Sequence, residues 1–125
     1  MANAKKLDCT WPEARLEPRR LRVADDYLQG VLDGKNFLVF DGAMGTQLQA
    51  RGLAAGELPE LLCLTNPDEI AEVHAAYVAA GADVVTTNTF GANRLKFPEN
   101  LDEIVTAAVK LAKEARTQAG RDEDA

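Results

Sequence analysis

Two kinds of apolar run alternate along the chain, one spaced like a helix and one unbroken. Val23, Tyr27, Leu28, Val31 and Leu32 recur at helical spacing and predict a short lead-in helix that stops at Gly34. Phe37, Leu38, Val39 and Phe40 follow without interruption and close on Asp41-Gly42, the pattern of a strand buried on both faces in a parallel sheet. The Gly- and Ala-rich stretch from Gly42 to Gly56 predicts a loop with a short helical turn. A better-marked helix comes next. Asn66 is placed to cap it, Pro67 suits its first position, and Asp68 and Glu69 favour the positive end of its dipole. The Asn66–Glu69 spacing is that of a capping box, Ile70, Val73, Tyr77 and Val78 form the apolar stripe, and Gly81 ends the helix.

A second strand is expected over 82–87, centred on Val84 and Val85 and closing on Thr87-Asn88-Thr89-Phe90-Gly91. The last helix is expected from Leu101 to Ala119. Leu101, Ile104, Val105, Ala108, Leu111, Ala112 and Ala115 share one face, and Gly120 caps the end. The order helix, strand, helix, strand, helix predicts an α/β fold with parallel strands and right-handed crossovers. Two parallel strands leave most of their hydrogen-bonding edges unpaired, so the sequence reads as part of a larger sheet.

Composition narrows the class without naming a function. Apolar residues make up 46% of the 125 and charged residues 27%, as in ordinary globular protein. A net charge of −6 argues against nucleic acid as a partner. Residues 1–22 run the other way, with six Lys or Arg against three acids, and are expected to form a basic, flexible arm ahead of a domain over 23–120 and a polar tail over 121–125. No stretch reaches the about 18 apolar residues of a membrane span, and the N-terminus lacks the apolar core of a signal peptide. Cys9 and Cys63 have no partner at Cys-x-x-Cys spacing, so reduced thiols and a cytoplasmic location are expected.

Ligands of parallel α/β proteins bind at the carboxyl ends of the strands, and both strand ends here are polar and flanked by glycine. Asp41 can hold an ammonium group by a charge-assisted hydrogen bond. Gly42 and Gly45 let backbone N–H groups approach a carboxylate, and Thr87 offers a hydroxyl that donates and accepts. These groups suit the zwitterionic end of an amino acid. Read without a ligand, the same residues make a turn and two filling threonines, and the spacing alone weighs both readings equally. A phosphate loop fits less well, because Gly42-Ala43-Met44-Gly45 matches neither glycine-rich phosphate motif and no lysine lies close by in sequence. His74 on the helix stripe and Cys63 in a Leu-rich turn read as structural, and Arg94 and Lys96 as solvated loop charges. No catalytic residue and no metal ligand is assigned.

The runs Phe37-Leu-Val-Phe-Asp-Gly-Ala-Met-Gly-Thr-Gln-Leu-Gln49, Leu64-Thr-Asn-Pro67 and Gly81-Ala-Asp-Val-Val-Thr-Thr-Asn-Thr-Phe-Gly-Ala-Asn-Arg-Leu-Lys96 together resemble the N-terminal barrel of homocysteine S-methyltransferases, over about residues 23–119. The Gly-Ala-Asn-Arg-Leu-Lys ending is most similar to the cobalamin-dependent methionine synthase branch. The resemblance implies the first two β/α units of a (β/α)8 TIM barrel and transfer of a methyl group to homocysteine to give methionine. It implies zinc held by three cysteines, which activates the thiol, and cobalamin as methyl carrier. It also implies substrate contacts from Asp41, Gly42, Ala43, Met44 and Thr87, with Ala43 and Met44 acting through their backbone. Departures accompany it. The Gly-Gly-Cys-Cys zinc motif is absent, Thr86 stands where many methionine synthases carry Glu, and Cys63 stands where Asn is usual. The chain is therefore expected to be inactive alone, with the remaining barrel segments on another chain as its partner. The alternative is a non-catalytic amino-acid-binding or assembly module.

Overall fold

The computed structural model describes residues 22–120. The basic arm (except Arg22), Cys9 and the tail over 121–125 lie outside the described residues. The chain divides into two compact units, one ending at Phe37 and the other beginning at Leu38.

In the first unit the lead-in helix α1 spans Asp26–Leu32. It starts three residues later than Val23 because Asp25 takes the N-cap, its carboxylate accepting from Leu28 N–H at 2.7 Å. The Tyr27 hydroxyl donates to the Phe37 carbonyl at 2.9 Å, tying the helix to the chain that leaves it.

The second unit is built on helices. α2 spans Met44–Ala50, a 3-10 turn spans Pro59–Leu61, and α3 is the single turn Leu62–Thr65. α4 spans Pro67–Ala79 and α5 spans Leu101–Gln118. The core lies where these meet: Leu48 of α2, Cys63 of α3, Ile70 and Val73 of α4, and Ala108 and Leu111 of α5 pack together, with Met44, Tyr77 and Ala107 against them. Ile70 and Ile104 are wholly buried, each worth roughly 1.5–3 kcal/mol of transfer free energy.

The expected stripes are in place, with two differences. His74 is as buried as its apolar neighbours, whereas Val105 is 38% exposed at the edge of the α5 face. Asn66 occupies the N-cap of α4, but its side chain makes no cap bond; its carbonyl accepts from Glu69 N–H instead, so the capping box is not formed. Pro67 and the acidic first turn define this end without it. The other end of α4 closes as expected. Gly81 takes a left-handed φ of 103°, Gly81 N–H donates to the Val78 carbonyl and Ala82 N–H to the Tyr77 carbonyl. This Schellman arrangement turns the chain out of the helix and into the extended segment that follows.

The two expected strands are the main correction. Among the described residues there is no strand, only an isolated parallel bridge between Phe40 and Val84. The direction is the one that alternation of strand and helix requires. Asp83 N–H donates to the Val39 carbonyl at 2.8 Å and Asp41 N–H to the Val84 carbonyl at 2.9 Å. Pairing stops there because, among the described residues, each segment has only the other to pair with, and a two-stranded parallel pair has too few bonds and too little covered face to extend. The side chains report the same thing: Phe40 is 63% exposed and Val39 45%, where a strand in a buried parallel sheet would hide both.

Candidate functional site

The bridge brings the two polar segment ends together. Both oxygens of the Asp41 carboxylate accept from Thr86, one from its N–H at 2.7 Å and the other from its hydroxyl at 2.8 Å. A carboxylate has about four lone-pair directions, so two remain for another donor. Asp83 makes a similar link on the other side of the bridge, accepting from Val39 N–H at 2.9 Å. Carboxylates thus tie the ends of both segments where ladder bonds run out.

Gly42, Ala43 and Met44 lie directly beyond Asp41. The Met44 side chain packs against the core, which leaves its backbone as what it can offer a ligand. The Ala43 carbonyl accepts from the Tyr77 hydroxyl of α4 at 3.0 Å, and the phenol stands against Gly42 where a side chain would otherwise be. Thr87 is half-buried, and its hydroxyl pairs with that of Thr89 at 2.8 Å; the hydrogen bonds of Asp41 run to Thr86 instead. The structure therefore sets Asp41, Gly42 and Ala43 in the loop that leads into Met44, the first residue of α2, with Thr87 on the adjoining segment beside the residue that binds Asp41.

The turn over 59–63 holds that adjoining segment from the other side. Glu60 is buried and accepts from Gly91 N–H at 2.6 Å, while Asn88 donates its amide to the Pro59 carbonyl at 2.8 Å. Asn88 also reaches the Cys63 sulfur at 3.6 Å. Burial pushes the Cys63 thiol above its ordinary pKa of 9.0, an effect the Asn88 hydrogen bond opposes and the nearby Glu60 charge reinforces. Such a thiol stays protonated at neutral pH, and so makes a poor nucleophile or metal ligand. His74 is fully buried with neither ring nitrogen partnered among the described residues. Burial drives its pKa below 6.5, against the pull of the Asp41 carboxylate, so it sits in the core as a neutral ring.

Arg94 pairs with Asp102 at 3.3 Å on the surface. Thr86, Tyr77, Glu60 and Asn88 are the residues sequence reasoning missed as neighbours of the site. Thr86 had one signal, its departure from the usual Glu. The other three act across 29 to 34 residues of chain, and no local pattern announces them.

Comparison with known proteins identifies the family. A sequence profile described as homocysteine S-methyltransferase matches residues 38–123. The chain is 37% identical over 97 residues to a homocysteine S-methyltransferase of Escherichia coli, covering 71% of this chain and 31% of that protein. It is 48% identical over 62 residues to a methionine synthase of Mycobacterium tuberculosis, covering 45% of this chain and 5% of that protein. The crystal structure of the homocysteine methyltransferase MmuM from Escherichia coli in its oxidized form superposes with a TM-score of 0.63 at 29% identity, over 75% of this chain and 35% of that one. The chain thus spans about a third of the Escherichia coli relative and a small fraction of the mycobacterial one. With the profile covering most of its length and three quarters of the chain superposing on a solved relative, the chain belongs to the homocysteine S-methyltransferase family.

Proposed function

We propose that this chain contributes the amino-acid-binding part of a homocysteine S-methyltransferase of the methionine synthase type, built on a (β/α)8 barrel whose other strands lie beyond residues 22–120. The observation that carries the reading is the joined pair of segment ends, where Asp41 keeps free lone pairs beside the exposed backbone of Gly42 and Ala43. Asp41 accepts from the ammonium group of homocysteine, the backbone N–H groups of Gly42, Ala43 and Met44 hold its carboxylate, and the Thr87 hydroxyl completes the cradle. Anchoring both charged ends fixes the direction of the side chain, so the sulfur is presented at a constant place to a methyl donor.

The described residues do not fit a zinc site. They contain no cluster of three His, Cys, Asp or Glu side chains, and the thiol of Cys63 is buried and bonded to Asn88. Cobalamin likewise has no residue assigned to it. Activation of the sulfur and delivery of the methyl group therefore belong to parts of the enzyme outside these residues, and the role of this segment is to bind and orient. The exposed apolar side chains of Phe40, Phe90 and Leu95 favour completion by further strands over an independent binding module.

Methyl transfer to homocysteine tests the reading. The purified chain is assayed with zinc and methylcobalamin, alone and after addition of the remaining two thirds of a homologous barrel. Activity is expected only in the mixture and should be lost with Asp41→Asn. Activity from the chain alone, or a mixture indifferent to Asp41, would overturn it.

A further inference from the structure

The side chain of Tyr77 does more than fill its place in the α4 stripe. Its ring packs against the core, yet its hydroxyl turns away from that packing and donates to the Ala43 carbonyl at 3.0 Å. The same phenol occupies the space a side chain at residue 42 would need. A Cβ built on Gly42 would stand 2.7 Å from the Tyr77 hydroxyl oxygen, closer than such atoms approach, and tightly against Cε1 at 3.0 Å and Cζ at 3.1 Å. Phenylalanine would satisfy the packing alone. The hydroxyl adds a directional restraint on a loop that is otherwise exposed.

The consequence follows from the planarity of the peptide. In a trans peptide the N–H points opposite to the carbonyl it shares a plane with. Holding the Ala43 carbonyl toward Tyr77 therefore turns the Met44 N–H away from the Tyr77 side chain of α4. Every peptide among the described residues is trans. We propose that Tyr77 is a positioning residue for substrate: its phenol fixes the 43–44 peptide so that the Met44 N–H is presented to the carboxylate of the bound amino acid. Gly42 is the complementary half of this device, since any side chain there would displace the phenol. The inference rests on the amino-acid-binding reading given above.

The test is a titration with L-homocysteine of the 15N-labelled full chain combined with the unlabelled remaining barrel segments, followed by the amide signals of Gly42, Ala43 and Met44. In the unmodified chain these should shift saturably. Tyr77→Phe removes the hydroxyl alone, and the loss of one neutral hydrogen bond should weaken binding about three- to tenfold. The loop amides should move or exchange faster before any ligand is added, while those of Ile70, Val73 and Ile104 stay where they were. Gly42→Ala displaces the phenol from the other side without altering α4, and should weaken binding at least as much. A Tyr77→Phe chain that binds like the unmodified one overturns the inference, whether or not its loop amides move. A chain that gives no saturable shift before any substitution overturns the amino-acid reading itself, and this inference with it.

Discussion

The α4–α5 layer and the paired segments over 38–41 and 82–86 belong to the same compact unit, but they are completed to very different degrees. In the helical layer Ile70, Val73, Ile104 and Ala108 are all buried, and the helices satisfy their own backbone groups. In the paired segments a single bridge forms and the flanking side chains of Val39 and Phe40 face solvent. A helix needs only a partner for its apolar stripe, which this chain supplies. A parallel strand needs neighbours on both edges and cover on both faces, which residues 22–120 supply only in part. The candidate site lies on the less complete of the two regions, held there by side chains such as Asp41, Tyr77 and Glu60 rather than by a sheet.

The contrast can be broken most forcefully from the helical side. Ile104→Ala removes a wholly buried side chain between helices and should cost about 2–5 kcal/mol, read as a lowered urea midpoint. A loss below about 1 kcal/mol would mean the layer is loosely packed. Asp41→Asn acts on the other region. It deprives Thr86 of one acceptor and neutralises the other, and in the mixture with the remaining barrel segments should lower local protection of the amides over 39–41 and 84–86 by about 1–3 kcal/mol while α5 keeps its own.

A smaller effect is expected with pH. Because burial holds the pKa of His74 below 6.5, the unfolded chain takes up a proton more readily than the folded one. The stability that neutral His74 contributes is complete above pH 6.5 and is lost as pH falls below that value toward the lower folded pKa. Thermal unfolding from about pH 7 to 5.5, above the range where carboxylates titrate, should show this decline, and His74→Leu should flatten it. The smallest change is expected from Phe90→Ser. Phe90 is fully exposed, so the stability of the chain should move by no more than about 0.5 kcal/mol, whereas recovery of activity with the remaining barrel should suffer.

The same contrast governs how much was legible in the sequence. α4 and α5 could be read from apolar spacing, and the turn at Gly81 from its place after the last periodic residue, because these signals are local. The unbroken run over 37–40 gave the direction of pairing but not its extent, since extent depends on neighbours outside the run. Asn66 had the right position for a cap without making the bond, and Pro67 shows why the bond was dispensable. Asp41 was singled out for a ligand, and its tie to Thr86 came from the meeting of the two segment ends. Tyr77 was counted as core by its spacing; its hydroxyl bond to Ala43 spans 34 residues and has no local signature.

Amide hydrogen exchange, measured on the chain alone and again with the remaining barrel segments added, tests this division most directly. The account predicts that α4 and α5 are protected in both samples, and that the amides of residues 38–41 and 82–86 gain protection only in the mixture. Equal protection of those amides in the chain alone would contradict it.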